Sequence, residues 1–258
     1  MSFDNIRTGK AHRPPRVLLY GQEGIGKSTF AASAPSPIFV PTEDGIDEIE
    51  CSSFPMATNL QEVIDNLDEL IARDHNFESV IIDTADWLER LIHEEVCKNP
   101  PVAAIELAAG GFGKGFGVAL NYWREILGQL DRLRNQKNMV VILLAHARQE
   151  RVEDPESASS YDRWIPRLND SKNSSSLALI SEWCDAVLFA TRRIRIATED
   201  LGFNKKRSTA VAIGKDGGDR IIRPYATPAA LAKNRYRITA EIPLSWGAFI
   251  DAIATSQS

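Results

Sequence analysis

Apolar residues recur along the chain in two rhythms. Short unbroken runs occur at 16–20 (RVLLY), 38–40, 79–82 and 139–145 (MVVILLA), each bounded by polar or turn residues. Runs of that length predict strands buried on both faces. Over 59–73 (NLQEVIDNLDELIAR), Leu60, Val63, Ile64, Leu67, Leu70 and Ile71 fall three or four apart, with Asn59 placed as N-cap. That spacing predicts a helix, and residues 118–136 repeat it. A further helix is predicted over about 86–98, ended by Pro100-Pro101. A helix of small residues follows the first strand and stops at Pro35 and Pro37.

The last third reads differently. Residues 183–191 (WCDAVLFAT) predict a strand, 192–198 and 208–213 a hairpin across DLGFNKKR, and 229–238 (AALAKNRYRI) another strand. Ser245 is placed to cap a final helix over 246–255. Between these elements lie a glycine-rich stretch, 99–117, containing GGFGKGFG, and a long polar stretch, 147–175. Strands alternating with helices, then a strand-rich end, indicate an α/β fold. Its expected form is a mostly parallel central sheet flanked by helices, with an antiparallel C-terminal extension. The expected organisation is a flexible N-terminal lead-in over 1–15 and a single domain over 16–258.

Composition sets limits on this picture. Of 258 residues, 43% are hydrophobic and 25% charged, which excludes a disordered or collagen-like chain. Lys and Arg number 30 against 35 Asp and Glu, a net charge of −5. That balance argues against a surface coated with nucleic-acid contacts, but leaves room for a local basic strip. Cys51, Cys97 and Cys184 are scattered and none forms a CxxC pair, so neither a disulfide scaffold nor a zinc framework is expected. The first residues hold no apolar signal core, and the longest aliphatic run is too short to cross a bilayer. The expectation is a reduced, cytoplasmic protein without membrane contact.

The strongest chemical signal is GQEGIGKS at 21–28, which fits GxxxxGK[ST] with a strand before it and a helix after it. Gly21, Gln22, Glu23, Gly24, Ile25, Gly26, Lys27, Ser28 and Thr29 are therefore the expected nucleotide-binding residues. Glycines let such a loop wrap tightly, so that its N–H groups and the start of the helix meet phosphate. Lys27 is expected to reach the β- and γ-phosphates, and the Ser28 hydroxyl to ligate Mg2+. Asp83, at the tip of SVIID, is the expected second holder of the Mg2+ shell. Hydrolysis also needs a group that activates water. Glu43, just past the strand at 38–40, is the first candidate and Asp86 the second. His146 ends MVVILLAH, where a polar side chain can sense the γ-phosphate and signal to the following loop.

These residues carry a resemblance. GQEGIGKST resembles the P-loop of the RecA recombinase family, FVPTEDG its second strand, VIIDTADWL its Walker B strand and VILLAHARQER the strand ending in a polar sensor. The resemblance implies a catalytic glutamate at Glu43, a magnesium-shell aspartate at Asp83 and a sensor at His146. ISEWCDAVLFATRR followed by ALAKNRYRI resembles the last strands of RecA-fold replicative helicases. It implies that Lys233 and Arg235 reach in trans into the ATP site of a neighbouring subunit. Over about 16–240 the chain resembles phage nucleotide-binding proteins of the AAA_24 type, small RecA-core ATPases, some of which are single-strand annealing recombinases. The segments GGFGKGFG, IDTADWLE and AKNRY strengthen that likeness. It implies a RecA-like P-loop NTPase core, ATP and Mg2+ as ligands, and a ring or filament of identical subunits. It also implies the cytoplasm of an infected bacterial host and a phage single-strand-binding protein as a further partner. Strand invasion and helicase unwinding are not expected, because the accessory domains that RecA and the helicases use have no counterpart in the sequence.

In the RecA fold the loops after the Walker B helix and after the sensor strand hold DNA at the oligomer axis. Here they map to about 99–117 and 147–175. The first offers Phe112, Lys114 and Phe116; the second offers Arg148, Arg151, Arg163 and Trp164. Basic and aromatic residues together are what single strands require. The second stretch also carries Glu150, Glu153, Asp154, Glu156, Asp162 and Asp170, so a partner-binding or disordered segment is an equal alternative. The leading expectation is an ATP-hydrolysing recombination protein that binds single-stranded DNA and promotes annealing as an oligomer. The alternative is a nucleotide-dependent assembly switch or loader acting on protein partners. A small-molecule kinase comes third, and Glu43 and AKNRY argue against it.

Overall fold

The computed structural model describes residues 9, 13–153, 159–200, 206–214 and 217–257. In chain order the first half runs β1 (Arg16–Gly21), α1 (Lys27–Ala32), β2 (Pro37–Pro41), β3 (Ser52–Ser53), α2 (Leu60–Ala72), β4 (Ser79–Asp83), α3 (Ala85–Val96) and α4 (Lys114–Gln136). The second half runs β5 (Val140–Val152), β6 (Tyr161–Pro166), α5 (Ser176–Trp183), β7 (Ala186–Arg192), β8 (Ile194–Asp200) and β9 (Lys206–Ala212). It ends with β10 (Arg220–Arg223), β11 (Lys233–Asn234), β12 (Ile242–Pro243) and α6 (Trp246–Gln257).

β1 lies between β5 and β7, parallel to both. β4 and β2 continue the parallel ladder beyond β5, and β3 closes that edge. On the other side β10 and then β12 join antiparallel, giving the order β12-β10-β7-β1-β5-β4-β2-β3. β11 also pairs antiparallel with β7. The expected parallel sheet with its antiparallel C-terminal part is present.

The unbroken apolar runs have a physical cause. Side chains alternate along a strand. Leu18 and Tyr20 enter a core shared with α2, α3, α4 and α5, while Val17 and Leu19 enter one shared with α1 and α6. With helices on both faces, the interior positions Val17, Leu18 and Leu19 of β1 are all apolar. α2 begins where the sequence predicts. The Asn59 side chain accepts the Glu62 N–H at 3.1 Å, and the Glu62 carboxylate accepts the Thr58 N–H at 2.7 Å, a reciprocal cap. At α6 the Ser245 hydroxyl accepts the Ala248 N–H at 3.2 Å.

Several expectations need correction. The stretch 147–175 is not a long loop. β5 runs on to Val152 and returns as β6, with Ala147 opposite Pro166 and Val152 opposite Tyr161. The outer part of this ribbon is wet on both faces, so no apolar run marks it. The stretch 99–117 is only partly loop. A broken 3-10 turn covers Ile105–Gly110, and α4 starts a turn earlier than expected, at Lys114. Gly115 permits this, because the Ile105 carbonyl abuts it and leaves no room for a Cβ. Trp183 ends α5 rather than opening a strand, and β7 starts at Ala186. The strand expected over 229–238 shrinks to the two residues of β11. The hairpin forms as β8 and β9. Its turn at 201–205, and all of the lead-in before residue 13 except Gly9, lie outside the described residues. Among the described residues no helix is long and apolar enough to cross a membrane.

Candidate active site

The C-terminal ends of the parallel strands meet at a cavity of ≈ 310 Å³, whose lining includes Lys27, Ser28, Glu43, Asp83, His146 and Arg220. Ligands of open α/β sheets sit at this end. β1 ends at Gly21, where a Cβ would lie 2.6 Å from the Ala190 carbonyl oxygen of β7. Only glycine keeps the two strands in register there. The chain then turns past exposed Gln22, Glu23 and Gly24 and buried Ile25 to Gly26, whose φ of 105° lies in the left-handed region. Lys27 follows and is buried. Its Nζ donates to the carbonyls of Gly21 at 3.4 Å and Gln22 at 3.3 Å. Burial pulls its pKa down, against the opposing charges of Asp83, Glu43 and Asp86. Ser28 is half-buried beside it and Thr29 is exposed.

Asp83 is buried at the tip of β4. Burial raises its pKa, while the Ser28 hydroxyl and the Lys27 charge work the other way. Its Oδ2 has no hydrogen-bond partner among the described residues. A buried oxygen without a partner is costly, and its retention points to a ligand that completes it. Mg2+ takes one or two protein oxygens and fills its shell with phosphate oxygens and water. A hydroxyl and a carboxylate beside a phosphate loop fit that demand. Among the described residues there is no cluster of three or more His, Cys, Asp or Glu able to cage a metal.

Thr42 ties the end of β2 to β4. Its N–H donates to the Asp83 carbonyl at 2.8 Å; its hydroxyl donates to the Thr84 carbonyl at 2.8 Å and accepts the Thr84 N–H at 2.9 Å. The next residue, Glu43, is thereby held at the cavity wall. Its Oε1 lies 3.8 Å from His146 Nε2. Burial raises the Glu43 pKa, His146 opposes this, and Asp86 and Asp83 add to it. A carboxylate raised in this way is a stronger base than a solvated one.

Asp86 stands in the first turn of α3. It accepts the His146 N–H at 2.9 Å and meets the ring Nδ1 at 3.0 Å. Burial works against its charge, but the hydrogen bonds from the His146 ring and amide outweigh this and hold its pKa below the usual range. The sequence offers Asp86 as a rival base; the geometry makes it the positioning residue that turns His146 Nε2 toward Glu43. One turn on, buried Glu89 accepts from Trp123 Nε1 at 3.3 Å, from the Asn169 N–H at 2.7 Å and from the Ser176 hydroxyl. It anchors the segment that follows the ribbon.

Arg220 is the charged cavity residue that sequence reasoning missed, alongside Gly45 and Ile49. It opens a four-residue strand, RIIR, and nothing in that pattern separates it from any charged strand end. Arg167, just past β6, reaches Glu23 of the loop at 3.9 Å.

Lys233 and Arg235 lie at the other end of the sheet. Lys233 stands opposite Val187 near the start of β7, whereas Gly21 stands opposite Ala190. Lys233 Nζ donates to the carbonyls of Ser181, Glu182 and Cys184 at 2.8, 3.2 and 3.2 Å, closing the end of α5. Arg235 donates to Asp185 at 2.9 Å and to the Glu182 carbonyl at 3.1 Å. Neither enters the cavity of its own chain.

The residues expected at DNA divide. Phe112 is 99% exposed at a φ of 56°, and Lys114 is exposed beside it. Phe116 is half-buried in α4, edge-on to His93 at 5.5 Å, and Trp164 is half-buried and stacked on Phe189 at 6.3 Å. In the ribbon Arg151 pairs with Asp162 at 3.1 Å and Arg163 with Glu150 at 3.0 Å. Arg148 is half-buried near the ribbon base.

A phosphate loop after β1, with an acid at the tip of β4 in the same cavity, defines a P-loop NTPase. A family model described as an AAA domain, AAA_24, matches residues 13–236, and the chain belongs to that family. Nucleotide binding and hydrolysis come with the domain. No curated protein matches the chain significantly.

Proposed function

We propose that the chain is a Mg2+-dependent ATPase of a phage recombination system, acting as an oligomer on single-stranded DNA in the host cytoplasm. The observation that carries this reading is the continuity of site and ribbon. His146, held by Asp86 and facing Glu43, is followed directly by Ala147, the first ribbon residue paired to β6. Arg167 N–H donates back to the His146 carbonyl at 2.8 Å, so both ribbon strands are tied to the sensor. A shift of the imidazole on hydrolysis therefore reaches the ribbon as a lever.

In this reading Lys27 and the loop amides hold the β- and γ-phosphates, and Glu43 orients the attacking water. Ser28 and Asp83 hold Mg2+, which when bound neutralises charge on the phosphate oxygens. Among the described residues Lys27 and Arg220 are the only Lys or Arg lining the cavity. Charge that develops on the γ-phosphate calls for a further cation, and on this reading Arg235 of a neighbouring subunit supplies it, while Lys233 stays on the carbonyls that close α5. The Arg235 side chain is 51% exposed and so is open to a neighbour. Phe112 and Lys114 offer one base-stacking and one phosphate contact. A large apolar side chain that is fully exposed in a left-handed backbone is not explained by packing. A phage single-strand-binding protein is a further partner on this reading.

One observation favours a second reading. Two of the ribbon arginines, Arg151 and Arg163, are paired with Asp162 and Glu150, and Leu107, near Phe112 in sequence, is 58% exposed. That surface suits a protein partner, with the chain as a nucleotide-dependent switch or loader. ATPase rates with and without single-stranded DNA, across a salt series, separate the two. DNA stimulation that weakens as salt rises is expected. Lys27→Ala removes hydrolysis altogether. Phe112→Ala with Lys114→Ala lowers DNA affinity by about tenfold or more, given roughly 1–3 kcal/mol per stacked base. Arg235→Ala keeps ATP binding but loses stimulated hydrolysis. Wild-type protein without affinity for single strands leaves the protein-partner reading in its place.

A further inference from the structure

We infer that Arg220 is a phosphate-binding residue acting in cis, on the part of the nucleotide that ATP and ADP share. This inference rests on the ATPase reading of the cavity. Its ground is the position of Arg220 against the phosphate loop. A methyl group on Gly26 would meet Arg220 Nη1 at 3.0 Å, so the guanidinium lies against the loop backbone next to Lys27. Leu244 Cδ2 flanks the same point at 3.7 Å. Arg220 lines the cavity, and among the described residues its guanidinium has no hydrogen bond or ion pair.

The sheet makes this placement deliberate. β10 joins β7 antiparallel, with Arg220 directly opposite Arg192. Opposed residues of an antiparallel pair project to the same face, and like charges there are unfavourable. Arg192 Nη1 donates to the Gly218 carbonyl at 3.2 Å. Arg220 keeps its charge at the cavity without such a partner. Arg220 is exposed to solvent, so its guanidinium is free to meet an anion held by the loop backbone beside it.

Strand order assigns the part of the nucleotide. Glu43, Asp83 and His146 come from β2, β4 and β5, all on one side of β1. Arg220 comes from β10, on the other side. The carboxylates and His146 mark where the γ-phosphate is cleaved. The guanidinium approaches the loop from the side away from them, toward the phosphates that stay with the product. It is therefore an affinity residue for nucleoside di- and triphosphates alike.

Dissociation constants for ATP and ADP, measured by titration calorimetry on wild type, Arg220→Ala, Arg220→Lys and Lys27→Ala, test this. Arg220→Ala should weaken both nucleotides by a common factor of about tenfold or more, the usual effect of losing a charge-assisted hydrogen bond. Arg220→Lys should restore part of the loss, since it keeps the charge but not the fork. A melting curve matching wild type shows that the variants are folded; Arg220→Gln serves if Arg220→Ala is not. Affinities within twofold of wild type overturn the inference. So does a loss confined to ATP, which would move Arg220 to the γ-phosphate. If wild type binds neither nucleotide, or Lys27→Ala binds as wild type does, the ATPase reading itself fails.

Discussion

At the base of the sheet Asp185 accepts from the Arg16 N–H at 3.1 Å and from the Arg16 guanidinium at 3.3 and 3.1 Å. It accepts also from Arg134 at 3.2 Å and from Arg235 at 2.9 Å. At the opposite end, Asp83 Oδ2 is buried with no partner, and Arg220, exposed to solvent, has no protein partner either, among the described residues. The titration directions follow. Burial works against the Asp185 charge, but the Arg16 hydrogen bonds and charge outweigh it and hold the carboxyl below its ordinary range. Burial raises Asp83 and Glu43 above theirs. The same chemistry stabilises the fold at one end and burdens it at the other. Charges that the chain leaves without partners are those a ligand is to complete.

The comparison is tested hardest at Glu43. Glu43→Gln keeps the shape of the side chain and removes the carboxylate proposed to act as the base. Steady-state hydrolysis should fall about 10²–10⁴-fold, while ATP still binds. A loss of ATP affinity as large as that of Lys27→Ala would shift Glu43 from the hydrolytic step to binding.

Asp185→Ala probes the saturated end. It leaves Arg16 and Arg134, with side chains only 14% and 11% exposed, without their shared carboxylate. Removing one partner of a largely buried ion pair costs about 3 kcal/mol, or roughly 10 °C in melting temperature. The pH dependence has a fixed sign. A carboxyl depressed on folding contributes stability that is full above its unfolded pKa and lost as pH falls through the folded one. The gap between wild type and variant should therefore close below about pH 4. A gap that persists into acid would mean that the cluster is held by packing instead.

What the sequence reveals follows the same division. RVLLY, SVIID and MVVILLA are legible as strands because burial on both faces keeps their central positions apolar and confines polar residues to their ends. GQEGIGKS is legible because few backbones other than a phosphate loop need that spacing. Asp83, Glu43 and His146 each stand out only against their own strand, and adjacency of β1, β5, β4 and β2 brings them to one wall. The ribbon escaped because its outer residues are polar on both faces. Phe116 and Trp164 read like Phe112, since burial of an aromatic ring is decided by what packs on it. Arg220 escaped for a similar reason. Its approach to Gly26 arises from β10 joining β7, a pairing between segments that the local pattern does not record.

The smallest expected effect runs in the opposite direction to Asp185. Asp83→Asn removes a buried charge while keeping the side-chain shape. In buffer without Mg2+ or nucleotide it should stabilise the protein by about 1 kcal/mol, roughly 2–4 °C in melting temperature, while the proposed Mg2+-dependent hydrolysis should be lost. The Asp83 pKa is raised on folding, so the folded state holds its proton more tightly. The cost of the charge is then full above the folded pKa and vanishes as pH falls below the unfolded value. Both variants converge with wild type in acid, but from opposite sides: Asp185→Ala from below, Asp83→Asn from above. Adding Mg2+ and ATP should reverse the order for Asp83, because ligand that binds the native state stabilises only the protein that holds it. If Asp83→Asn melts below wild type in metal-free buffer at neutral pH, Asp83 is a structural carboxylate like Asp185. The division between a saturated base and an unfinished phosphate end then fails at one of its buried acids.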